Sequence, residues 1–187
     1  MDNTVILFVA DHGEMLGDHL MFMKAKPYQG SIQVPMFLSG PERYVGKHHR
    51  VCQDLVELRD VMPTLLDLAG VEIPETVDGV SMLNKVDREY IHGEHSLGMD
   101  SMHFIVTKTD KYIWYSQTGK ELYFDLVNDP HESHNAIDEE QFAQRISYLR
   151  QKLIEELDGR EEGYSDGTRL IVGRPPQTVL KNTPYAR

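Results

Sequence analysis

The chain has 187 residues, 40% of them hydrophobic and 26% charged, and 30 acidic residues against 19 Lys and Arg set a formal net charge of -11. That is enough sequence for one good-sized globular domain or a core with a small appendage, and its charge argues against nucleic acid or an anionic membrane as a partner through a broad basic face. The lone Cys52 excludes an intramolecular disulfide and a thiolate metal cluster, and no apolar run approaches the roughly 18 residues of a membrane span.

The opening "MDNTVILFVA" has no basic n-region and runs straight into a strand pattern, so no signal peptide is expected here and the compartment stays unassigned. A strand of central type this early is expected to follow earlier sequence. Residues 5–10 (VILFVA) are apolar on both alternating faces, which predicts a strand covered on both sides as in a parallel α/β sheet, and 34–38 (VPMFL) repeats the pattern more weakly. A helix is predicted over 60–69 (DVMPTLLDLA), with Asp60 as N-cap, Pro63 in the tolerated first turn, Val61, Leu65 and Leu68 on one face, and Gly70 as its stop.

After about residue 88 the pattern changes. "EYIHGEH", "HFIVT", "KYIWYS" and "ELYFDL" read as short strands, the middle two joined by "KTDK", and the alternation of Leu122, Phe124 and Leu126 predicts an antiparallel sheet with one covered face. The segment 138–159 is the strongest helix: Phe142, Ile146, Leu149, Leu153 and Leu157 recur at helical spacing, Asp138 and Gln141 suit a capping box, and Gly159 ends it. Residues 160–187 are rich in Gly, Pro and charge and read as an extended tail, a reasonable arm for a neighbouring subunit in a homo-oligomer.

Ligands of open parallel sheets gather at the carboxyl ends of strands, which is where Asp11 and His12 fall. A carboxylate and a neutral imidazole are both metal donors, and Gly13 would let the backbone turn both toward one ion. A lysine in the following loop, Lys24 or Lys26, suits an anionic substrate whose oxygens are shared between metal and ammonium. Spacing alone does not choose between the two. His92 and Glu94 share one face of a strand and His95 the other, which is not the HExxH helix of a zinc protease. His131 and His134 read as surface residues, and His48, His49 and Arg50 as a solvated cluster.

"DNTVILFVADHGEMLGDH" followed by "MKAKPYQGSIQVPMFL" resembles the sulfatases of the alkaline-phosphatase-like superfamily. Asn3-Thr4, Asp11-His12-Gly13, Lys24, Tyr28, Ser31 and Val34-Pro35 follow that pattern in order. "RDVMPTLLDLAG" with "VDGVS", and "ELYFDLVNDPHESHN", continue it to about residue 135. The resemblance implies an α/β fold: part of an alkaline-phosphatase-like sheet over 1–87, then a small antiparallel sheet packed with a C-terminal helix over 88–159, then the tail 160–187.

It also implies a sulfuric ester hydrolase in which Asp11 and His12 are half of a metal site, Lys24 rather than Lys26 binds sulfate, and His19 and His95 face the substrate. The expected cation is Ca2+, with Mn2+, Mg2+ or Zn2+ as alternatives; calcium prefers oxygen, whereas imidazole suits manganese, iron or zinc. The family's nucleophile is a formylglycine made from a Cys/Ser-x-Pro-x-Arg motif. No such motif is expected in this chain, and Cys52, in "RVCQDL", does not qualify, so the nucleophile is expected outside it, with two further acidic ligands. The runners-up are a phosphonate or phosphate ester hydrolase of the same superfamily, and a non-catalytic domain that binds metal or a partner.

Overall fold

The computed structural model describes residues 2–46, 50–95 and 98–175. His48 and His49 of the basic cluster, and the end of the tail from 176, lie outside them. Among the described residues six strands form two sheets. β1 (Ile6–Val9) pairs with β2 (Met36–Ser39), and β3 (Ile91–His95), β4 (Met102–Val106), β5 (Asp110–Tyr115) and β6 (Glu121–Asp125) form a meander in sequence order. Among the described residues no helix is long and apolar enough to cross a membrane.

The meander is antiparallel throughout, as its short alternating strands predict. It differs from expectation in being covered on both faces, because β4 and the first five residues of β5 are buried at every position. One face carries Ile105, Tyr112, Trp114 and Tyr123 against Ile146, Leu149, Leu153 and Leu157 of the long helix. The other carries Met102, Phe104, Ile113, Leu122 and Phe124 against Tyr28 and Ile32. The sheet is thus a wall between its own helix and the segment that follows Asp11-His12.

Among the described residues four α-helices accompany the strands: α1 (Gln29–Ile32), α2 (Glu42–Val45), α3 (Val61–Leu68) and α4 (Ala143–Leu157). The stripe of α4 is buried as its spacing predicts, but its start is not. The Gln141 amide binds Glu139, a short 3₁₀ turn occupies Glu140–Phe142, and α4 begins beyond it without a side-chain cap. Asp60 stands at the N-cap position of α3, as expected, but its side chain does not cap the helix. It is fully buried, accepts the Glu57 and Val80 amides at 2.9 Å each, and receives both Arg88 guanidinium nitrogens at 2.8 and 2.9 Å. Thr64 in turn accepts the Met82 amide, and Ser81 donates to Asp67. The "DVMPTLLD" helix and the "VDGVS" loop are therefore halves of one clasp, and Arg88 ties it to the start of the meander. The expected apolar face of α3 is only half realised, since Leu65 is exposed.

β1 and β2 pair antiparallel, and the strand pattern's second prediction, cover on both faces, is not met among the described residues. Ile6, Phe8 and Phe37 are each about half exposed, at 45%, 49% and 52%, with Phe8 stacked on Phe37. The tail also differs. Residues 160–175 fold back, burying Tyr164 in the α4 face, bridging Ser165 to Leu170 and joining the Gly173 amide to the Ser116 carbonyl.

Candidate functional site

β1 ends at Val9, and Asp11 and His12 stand just beyond it. The His12 amide binds Asp11 Oδ1 at 3.0 Å, which draws the carboxylate back over the histidine. His12 Nδ1 lies 2.7 Å from the Gly13 carbonyl. A carbonyl only accepts, so Nδ1 carries a proton, and in the neutral ring the lone pair is then on Nε2. That nitrogen is 3.6 Å from Asp11 Oδ2. The two donors are therefore adjacent, outward facing and in the tautomer a cation needs. They fit as part of a metal site, and the described residues bring no third His, Cys, Asp or Glu to them, the one such group of three lying elsewhere.

Gly13 serves a different purpose from the expected turn. A Cβ on it would stand 2.0 Å from the Gly30 carbonyl oxygen, and its amide binds the Ser31 carbonyl at 2.7 Å. Glycine is required because two backbones touch there. The segment that leaves at Gly13 thus returns to it at Ser31, and Lys24 rides on the excursion. Within it Met15 pairs with Met23 and Gly17 with Met21 through the backbone, while Leu16, His19, Leu20 and Met23 adopt positive φ.

The two lysines of this excursion differ. Lys26 pairs with Asp100 at 2.6 Å and lies over the Tyr115 ring, so it serves the contact with the meander. Lys24 is exposed and pairs with no carboxylate among the described residues. His19 stacks on Tyr28 with centroids 4.0 Å apart, and its Nε2 meets the His131 carbonyl at 3.0 Å, so one ring face and one nitrogen are already engaged. His95 is exposed at the last position of β3, in register with Met102. His131 is exposed, and His134 meets Glu139 at 2.6 Å.

What fixes the excursion against the meander is a residue that sequence reasoning missed. Lys111, fully buried on β5, donates to the Pro27 carbonyl at 2.7 Å, to Gln29 at 3.1 Å and to Glu132 at 2.5 Å. Glu132, also buried, accepts the Gln29 amide at 2.6 Å. Burial pulls the Lys111 ammonium down to about 8 against the pull of Glu132. A lysine inside an otherwise apolar strand was the available signal.

One expectation needs correcting. The letters of Cys/Ser-x-Pro-x-Arg do occur, as Ser39-Gly40-Pro41-Glu42-Arg43. Ser39 pairs with Ile6, at the start of β1, whereas Asp11 lies past its end. Five residues of extended chain put roughly 16 Å between them. Arg43 is bound to the Asp2 carbonyl and stacked near Tyr44. The pattern is present, but at the wrong end of the ribbon to deliver a nucleophile to Asp11 and His12.

A family model described as N-sulphoglucosamine sulphohydrolase, C-terminal, matches residues 17–159. An arylsulfatase of Clostridium perfringens is 51% identical over 186 residues, covering 96% of this chain and 39% of that protein. The chain thus spans about two fifths of that curated relative. A solved structure in complex with its substrate D-glucosamine-2-N,6-O-disulfate aligns with a TM-score of 0.69 at 24% identity, covering 83% of this chain and 34% of that one, which speaks for the fold. The phosphonate monoester hydrolase of Agrobacterium radiobacter aligns with a TM-score of 0.71 at 25% identity, covering 82% and 35%.

Proposed function

Since the chain belongs to the N-sulphoglucosamine sulphohydrolase C-terminal family, we propose that it forms the C-terminal part of a sulfuric ester hydrolase, with Asp11, His12 and Lys24 at the reacting centre. The observation that carries this reading is the His12 tautomer: Nδ1 is committed to the Gly13 carbonyl, and Nε2 is left beside the Asp11 carboxylate. Asp11 and His12 would hold a divalent cation, Ca2+ by family expectation, which supplies positive charge against sulfate oxygens and nucleophile. Lys24 would donate to a sulfate oxygen and stabilise the charge that grows as the ester S–O bond breaks. His19 and His95 would border the alcohol side of the substrate.

Ser39 is too far from this centre to act, and Cys52 lacks the motif. The formylglycine would therefore come from a Cys/Ser-x-Pro-x-Arg motif outside these residues, and the chain alone would not turn over. In a protein that joins this chain to such a motif, Lys24→Ala lowers aryl sulfate turnover by about 100- to 1,000-fold without changing the melting temperature. Unchanged turnover would remove Lys24 from the site. The phosphonate reading draws on the Agrobacterium radiobacter neighbour. Relative rates on aryl sulfate and aryl phosphonate esters decide between them.

A further inference from the structure

A second cluster of donors lies on the α4 face of the meander, away from the Asp11-His12 loop. His92 and Glu94 alternate along β3 and so share a face, and Glu94 is in register with His103 of β4. One ligand atom from each of the three lies within 4.8 Å of the others. The histidines are oddly provided for. His103 is 3% exposed and its Nδ1 has no hydrogen-bond partner, and the buried Nε2 of His92 has none either. Two orphaned ring nitrogens beside one carboxylate would be costly unless something binds them.

We propose that His92, Glu94 and His103 form a binding site for a divalent transition metal of the zinc class, unrelated to the sulfate-ester centre. Two imidazoles and one carboxylate are a donor set that selects zinc over calcium or magnesium. The spacing agrees. His103 Nδ1 stands 3.4 Å from Glu94 Oε2, long for a hydrogen bond but close to the roughly 3.4 Å between two donors on a tetrahedral zinc with bonds of about 2.05 Å. The rings of His92 and His103 lie nearly parallel, and Tyr164 and Trp114 wall in His103. Glu94 is half exposed, which leaves a route for the ion and room for a water as fourth ligand.

The site has a built-in competitor. Arg160, just after α4, reaches Glu94 Oε2 at 2.8 Å and Glu162 at 3.0 Å. A bound cation would take Glu94 and leave Arg160 to Glu162. Gly93, between the two β3 ligands, is dictated by the opposite face, where a Cβ would stand 2.1 Å from the Phe104 ring. The ion would thus clamp the edge strand β3 to β4.

The test is calorimetric titration of the metal-stripped chain with Zn2+. One equivalent is expected to bind, with affinity falling at least about tenfold in His92→Gln and in Glu94→Gln. It should rise in Arg160→Gln and stay unchanged in Asp11→Asn/His12→Ala. Absence of saturable binding overturns the proposal. So does binding that survives His92→Gln and Glu94→Gln but vanishes with Asp11→Asn/His12→Ala. If a variant fails to fold, the imidazole nitrogen resonances of the unaltered chain decide. Those of His92 and His103 move on adding Zn2+ if the site is real, and stay in place if it is not.

Discussion

The ribbon β1–β2 is built from strands at least as apolar as those of the meander β3–β6, yet the two end in opposite environments. Residues 5–10 are all apolar, more so than β5 with its Asp110 and Lys111. Even so, β5 is buried from Asp110 through Trp114, whereas Phe8 and Phe37 stand about half exposed. Burial is therefore decided by which layers the chain supplies, α4 and the 27–32 segment on the meander's two faces, and not by strand composition. Charge inside the meander is tolerated because each charged group meets a partner. Asp110 takes Arg145 at 2.6 Å and Lys111 takes Glu132.

The largest expected effect tests that pairing. Lys111→Met leaves Glu132 buried without its cation and should cost about 3–5 kcal/mol in denaturant unfolding. Lys111→Met/Glu132→Leu should recover most of the loss, because a buried ion pair is often worth no more than apolar packing of its own volume. A double variant as unstable as the single one would mean that Pro27 and Gln29, rather than Glu132, are what Lys111 serves.

A smaller effect concerns the clasp before the meander. Burial alone would raise the Asp60 carboxyl, but Arg88 and the Val80 and Glu57 amides outweigh it and hold it below the ordinary carboxylate value. A depressed folded value means that the unfolded chain binds a proton more readily. The stabilisation is therefore complete above the ordinary carboxylate range, about pH 4, and is lost as pH falls through the lower folded value. Asp60→Asn should lose stability at neutral pH and show a shallower decline below pH 4 in thermal melts. An unchanged slope would assign acid sensitivity elsewhere.

How much of this was legible follows the same division. The meander's strands, their antiparallel pairing and the α4 stripe could be read because period-2 and period-3.6 patterns are local. The start of α4 could not, since Asp138 and Gln141 had the right letters while Glu139 claimed the Gln141 side chain. The Asp60 side chain looked like a cap because its partners lie at 57, 80 and 88, a distribution that spacing does not reveal. Of the candidate centre, Asp11-His12 was readable as a strand end. The need for Gly13 was not, because its cause is Gly30 on a returning segment. His92, Glu94 and His103 became a group only once β3 and β4 were in register, which one sequence does not state.

The smallest effect isolates the ribbon. Phe8 already lies half in solvent, so Phe8→Ser forfeits only part of a buried ring and should change unfolding free energy by about 1–2 kcal/mol, below the loss for Lys111→Met. Its partner Phe37 loses the stacked ring at 4.9 Å, a contact worth roughly 0.5–1.5 kcal/mol at best. The apolar face it removes should matter more between molecules than within one. Phe8→Ser should therefore lower hydrophobic dye binding and concentration-dependent self-association while the melt moves less than it does for Lys111→Met. If the melt drops as far as it does for Lys111→Met, the ribbon is load-carrying in this chain alone, and the contrast between the two sheets fails.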